Sequence, residues 1–177
     1  MNAGLDGLPG RPIVVGNALG TAAFVITAIA AAAIFTTAFQ WIGAITALVL
    51  FTLGVFAFIW SYFHAVDRSR TEEIGTAQLY LLTGPPSPPA VKRVMLTLLS
   101  VQAVTALVTT LVRPNGPDGR PGSSLAVGFL VPMLGFGLNG LWTAFHGTFP
   151  PRRRHADAPP DEDIGDEAAN RSPDRPE

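Results

Sequence analysis

The sequence predicts an all-α transmembrane bundle: four helices in two antiparallel hairpins, with a disordered charged C-terminal tail. Three observations lead there. Residues 12 to 66 contain no Asp, Glu, Lys or Arg. That run is too long for a soluble core element and suffices for two crossings at about 20 apolar residues each. Two further apolar stretches, 94–112 and 123–145, follow a polar loop. Charged residues make up only 14% of the chain, against roughly 25% in soluble domains, and about half of them lie after Pro151.

The elements follow in chain order. Residues 1–12 are rich in Gly and Pro and read as a flexible arm. Ala30 to Ala33 has the spacing of a leader-peptidase site. However, only Arg11 stands before the apolar run, which exceeds the usual length of such a segment, so it reads as a retained span. The transmembrane domain is placed at 13–150, with the first span at about 15–37 and the second at about 42–64. Gln40 and Trp41 fall in a short turn between them, which forces an antiparallel hairpin. Residues 65–92 form the main loop. Within it, Ile74–Leu82 is too short to span and suits either a segment in the membrane interface or a helix packed on the bundle end. The prolines between Gly84 and Ala90 read as a stiff polyproline spacer.

The third span is placed at about 94–112, flanked by Lys92, Arg93 and Arg113. A Gly/Pro turn precedes the fourth, at about 123–145, where Pro132 predicts a kink because it cannot donate to the carbonyl one turn back. Residues 151–177 mix Arg with acidic residues and hold too few apolar side chains to fold alone.

Four spans put both termini and the 65–92 loop on one side. Arg11, Arg68, Arg70, Lys92, Arg93, Arg152, Arg153 and Arg154 crowd that side, against Arg113 and Arg120 on the other. Positive residues stay inside, so both termini are expected in the cytoplasm of a cell whose cytoplasmic membrane holds the chain. Arg152, Arg153 and Arg154 stand where they can meet lipid headgroups.

Helices in lipid associate through small residues and buried polar groups rather than hydrophobic drive. Gly16, Gly20, Ala23, Thr27 and Ala30 form one stripe, and Gly43, Ala47, Gly54, Ala57 and Ser61 another. These predict tight packing of the first hairpin, with a homodimer through Gly16 and Gly20 as the alternative. Gln102 and Asn139 are the amides of the last two spans. Counted from the predicted helix ends they lie at matching depths, about 12 and 10 Å. A direct Gln102–Asn139 hydrogen bond is therefore expected, with a solute path as the functional alternative.

The chain has no cysteine, which excludes disulfides and thiolate chemistry. His64 and His146 end their helices with no acidic or thiol partner at ligand spacing, so no metal or other cofactor is expected. No nucleophile or carboxylate pair stands in the spans, so no enzymatic activity is expected. No nucleic-acid partner is expected either; the partners are the lipid bilayer and a membrane protein or second copy.

The ending Gly140-Leu-Trp-Thr-Ala-Phe-His-Gly-Thr-Phe-Pro-Pro-Arg and the stretch from Leu81-Leu-Thr-Gly to Val91-Lys-Arg resemble a family of small actinobacterial membrane proteins with no assigned activity. The resemblance covers about residues 20–153. It implies four spans and a variable acidic tail, and it transfers no catalytic or binding residue. The favoured expectation is an accessory or scaffold protein, with a small channel or transporter built on Gln102, Asn139 and the fourth helix as the alternative.

Overall fold

A computed structural model describes residues 10–119 and 122–152. It is all-helical, with four helices long and apolar enough to cross a membrane. Helix α1 runs Arg11–Ile34, α2 Thr37–Arg68, α3 Thr76–Leu81, α4 Pro89–Val112 and α5 Pro132–His146; a 3-10 helix, Ser124–Leu130, leads into α5.

The boundaries depart from expectation for local reasons. Phe35 turns left-handed (φ 52°) and its N–H caps the Ala31 carbonyl, so α1 ends three residues early. The chain restarts at Thr37, and the expected turn at Gln40 and Trp41 is instead the first part of α2. Helix α4 starts at Pro89, five residues early. Proline suits the first turn of a helix because its missing N–H has no partner there in any case. Pro132 likewise opens α5. The expected kink is a change of helix type, a 3-10 run meeting an α-helix at Val131.

Helices α1 and α5 each touch all the other spans, and α2 and α4 flank them. The most extensive contact is α2 against α5. It depends on glycine: a Cβ at Gly54 would stand 2.5 Å from the Leu134 nitrogen, and one at Gly137 would collide with the Gly54 carbonyl. Tight packing was expected between α1 and α2. The α2 stripe does bury Gly43, Ala47, Gly54 and Ser61, but its lower half faces α5.

On α1 the small-residue stripe is not the buried one. Val14, Asn17, Thr21, Phe24, Ala28 and Ala31 face inward, while Gly16 and Ala23 are exposed and Gly20 is half-buried. Burying Asn17, Thr21 and Phe24 has turned the helix away from its glycine face. Phe24 joins Ala28, Ala47, Leu50, Ala106, Val131 and Leu134 in the central core.

The outer surface is inverted relative to a soluble protein. Ile42, Ile45, Val49, Leu53, Phe56 and Ile59 of α2 are exposed, as are Val104, Leu107, Val108 and Leu111 of α4. Trp41 and Trp60, 64% and 67% exposed, stand toward opposite ends of α2. Their separation is about 28 Å at 1.5 Å per residue, close to the ~30 Å thickness of a hydrocarbon core. Tryptophan favours the two interfaces, so this spacing marks where the bilayer fits.

Candidate functional site

The most polar part of the span interior lies between α1, α4 and α5. Gln102 of α4 donates through Nε2 to Asn17 Oδ1 at 3.1 Å and to Thr21 Oγ1 at 2.7 Å. Asn17 Nδ2 in turn points at Met95 Sδ, 3.6 Å away, a weak acceptor. Gln102 and Asn17 are fully buried and Thr21 nearly so. Thr21 follows Asn17 by four residues, so one helical face presents both oxygens to one amide.

Asn139 serves a different junction. Its Nδ2 donates to the Tyr80 carbonyl at 3.1 Å, and Thr143 Oγ1 donates to the Asn139 carbonyl at 2.9 Å. The expected Gln102–Asn139 bond is absent, since Gln102 Oε1 and Asn139 Oδ1 are both buried without a hydrogen-bond partner. The cause is the early start of α4. Counted from Pro89, Gln102 lies deeper than was expected and comes level with Gly135, one turn from Asn139. A Cβ on Gly135 would stand 2.9 Å from Gln102 Oε1, so a glycine Cα–H faces that oxygen. Such contacts recur at helix interfaces and offset part of a missing hydrogen bond.

The partner of Asn139 comes from α3. This short helix packs into the bundle end, with Leu79, Tyr80 and Leu82 buried, rather than lying exposed in the interface. The Tyr80 ring stacks on Phe58 at 4.2 Å, and Gly140 leaves room for it: a Cβ there would stand 2.5 Å from Tyr80 Cε1. Burial pushes the Tyr80 hydroxyl above its ordinary pKa of 10, with Ser61 working the other way.

A second polar cluster lies at the same end, outside the apolar spans. Arg68, at the end of α2, donates to the Ala144 carbonyl at 2.6 Å and the Gly147 carbonyl at 3.2 Å. It also pairs with Glu72 at 2.7 Å and lies 5.4 Å from the centre of the Phe149 ring. A guanidinium is well placed there, because the last carbonyls of a helix carry partial negative charge. Next to it, Glu73 N–H bonds the Pro150 carbonyl and Arg152 N–H the Thr71 carbonyl, so residues 71–73 and 150–152 bridge like two short strands. Arg152 is exposed and donates through Nη1 to the Ser69 carbonyl at 3.0 Å. Arg153 and Arg154 lie outside the described residues.

The histidines are engaged by aromatic rings. His64 stacks on Phe145 at 4.1 Å and His146 on Trp142 at 5.7 Å. Among the described residues, no three His, Cys, Asp or Glu side chains come together as metal ligands.

Sequence reasoning missed Asn17, Thr21 and Tyr80. Asn17 had a signal of its own, as the one amide inside the first span, followed at helical spacing by a hydroxyl. The structure defines a class: a helical bundle with four helical segments long and apolar enough to span a membrane, their apolar core interrupted by a few buried polar side chains. Comparison with protein-family models, curated proteins and solved structures finds no match to this chain.

Proposed function

We propose that the chain is a non-enzymatic, multi-pass protein of the cytoplasmic membrane that works as an accessory or scaffold subunit. Its termini face the cytoplasm. One observation carries this reading: Asn17, Gln102 and Asn139 within the bundle are fully buried, and Gln102 and Asn139 donate across helices, α4 to α1 and α5 to α3. Polar groups used in this way specify an assembly. The orientation rests on the cluster of cations at the terminal end of the bundle. The broad exposed faces of α2 and α4 then supply the surface for a membrane-protein partner or a second copy.

The alternative, a small channel or transporter, is favoured by the two unpartnered oxygens, Gln102 Oε1 and Asn139 Oδ1, and by the broken fourth span. Reconstitution in liposomes separates the two. Under the scaffold reading, purified protein supports no solute-specific flux, and photocrosslinkers on α2 or α4 in living membranes capture a protein at defined positions. Flux abolished by Asn139→Leu, with no protein crosslink, would reverse the assignment.

A further inference from the structure

A groove of about 800 Å³ runs along α4 on a face lined by residues of that helix alone. It opens at Lys92 and Arg93, passes Leu96 and Val101, and ends at Val104 and Thr105. Ser100, midway, turns its hydroxyl back to the Leu96 carbonyl at 2.9 Å, so it offers the groove no free donor. Leu96 and Thr105 are about 14 Å apart along the helix at 1.5 Å per residue. That is close to half of a ~30 Å hydrocarbon core, the depth of one leaflet.

The two cations stand just outside that layer. Gln102 comes level with Gly135 of α5, and Gly54 of α2 packs against Leu134 and Gly137. Toward the terminal end, Lys92 lies about 15 Å along α4 from Gln102, and Trp60 about 9 Å along α2 from Gly54. Lys92 is therefore about 6 Å beyond the tryptophan that marks the interface, at headgroup height. Neither Lys92 nor Arg93 has a hydrogen-bond or ion-pair partner among the described residues. The other described arginines of that end are engaged: Arg11, Arg68 with carbonyls and Glu72, Arg70 with Asp67, and Arg152 with a carbonyl. Both cations begin α4, at the positive end of its dipole, with no acidic side chain in the first turn to offset them. Their charge has no counterpart in the described bundle.

We propose that this groove seats an anionic phospholipid of the leaflet on the terminal side, its phosphate against Lys92 and Arg93 and one acyl chain along α4 as far as Thr105. A partner helix would cross both leaflets, whereas the groove ends after one. A second copy in the same orientation would face Lys92 and Arg93 with the same two charges, which is unfavourable. The lipid leaves α2 and the outer half of α4 to a protein partner. The proposal rests on reading the helices as membrane spans. Extraction of the protein from membranes by alkaline carbonate would defeat that reading, independently of the groove.

The test uses the full chain in nanodiscs containing a phospholipid with a diazirine on its acyl chain. Two probes are compared, phosphatidylglycerol and phosphatidylcholine. Both leaflets hold the same mixture, so the direction of insertion does not matter. The anionic probe is expected to label the peptide containing Leu96 and Val101 over the zwitterionic one by roughly thirtyfold, the factor for two basic residues at about 1 kcal/mol each. Labelling at Leu53 on α2 is expected to be the same with both probes. Joint Lys92→Gln and Arg93→Gln substitution is expected to bring the two probes to parity on α4. Val101→Trp fills the groove with both charges intact and is expected to lower labelling there by the anionic probe. Leu107→Trp, on the outer half of α4, is expected to leave it unchanged. Equal labelling by both headgroups, an anionic preference that survives loss of both charges, an adduct to a second copy in place of lipid, or anionic labelling that appears only after residues 156–177 are removed overturns the proposal.

Discussion

Gln102 Nε2 lies 3.1 Å from Asn17 Oδ1 and joins α4 to α1 across 85 positions of sequence. The bond closes a contact between helices that are not neighbours in the chain. Its removal by Gln102→Leu leaves Asn17 Oδ1 and Thr21 Oγ1 without this donor. Each of Gln102→Leu and Asn17→Leu is expected to destabilise by about 1 kcal/mol, in the range of hydrogen bonds between membrane helices. The double variant is expected to recover part of the summed loss. Unfolding in mixed micelles measures the coupling, and simple additivity would show that the two amides do not meet. The parallel cycle on Gln102 and Asn139 is expected to be additive within about 0.5 kcal/mol, because they share no bond.

The contrast between the two cycles shows what was legible in the sequence. The four spans, their order and the sidedness of charge follow from composition alone. Which amide meets which does not, because depth is counted from the helix end. Pro89 moved the start of α4 by five residues, more than a full turn. The packing of α3 on the bundle end was one of two readings the sequence left open, for another reason. Leu79, Tyr80 and Leu82 are as apolar as an interfacial segment needs to be, and only the vacancy beside Gly140 makes room for Tyr80. The stripe on α1 misled because small residues allow close approach without requiring it. Asn17, Thr21 and Phe24 had stronger reasons to be inside.

The glycines can be ranked on the same grounds. Gly137→Ala places a methyl on the Gly54 carbonyl and is expected to destabilise the bundle by about 1–3 kcal/mol, the range for overpacking a core. Gly16→Ala meets open space and is expected to be neutral or slightly stabilising, since alanine favours the helix by up to about 1 kcal/mol. If Gly16→Ala proved the more damaging in a thermal unfolding series, Gly16 would be a contact surface, as a homodimer through that stripe requires.

Arg68 fastens the end of α5 to the end of α2. Arg68→Ala removes two charge-assisted bonds to carbonyls and the pair with Glu72. Hydrogen exchange is expected to rise at residues 147–152 and 71–73, with α1 and the middle of α4 unaffected. Arg68→Lys is expected to restore only part of the protection, because an ammonium lacks the planar fork that reaches both carbonyls. Unchanged exchange in the 147–152 segment would show that the backbone bridge to 71–73 holds it without Arg68.

Topology is open to direct labelling because the chain has no cysteine of its own. Ser87 lies in the loop on the terminal side but is only 6% exposed, so a probe there would be silent through burial alone. Thr83 and Asn115 are exposed at opposite ends of the bundle. With the termini in the cytoplasm, Asn115→Cys is expected to react with a membrane-impermeant maleimide added to intact cells. Thr83→Cys is expected to react only after the membrane is opened. The reverse pattern would place Arg68, Lys92 and Arg93 outside, against the rule that keeps cationic loops in the cytoplasm, and would invert the proposed orientation.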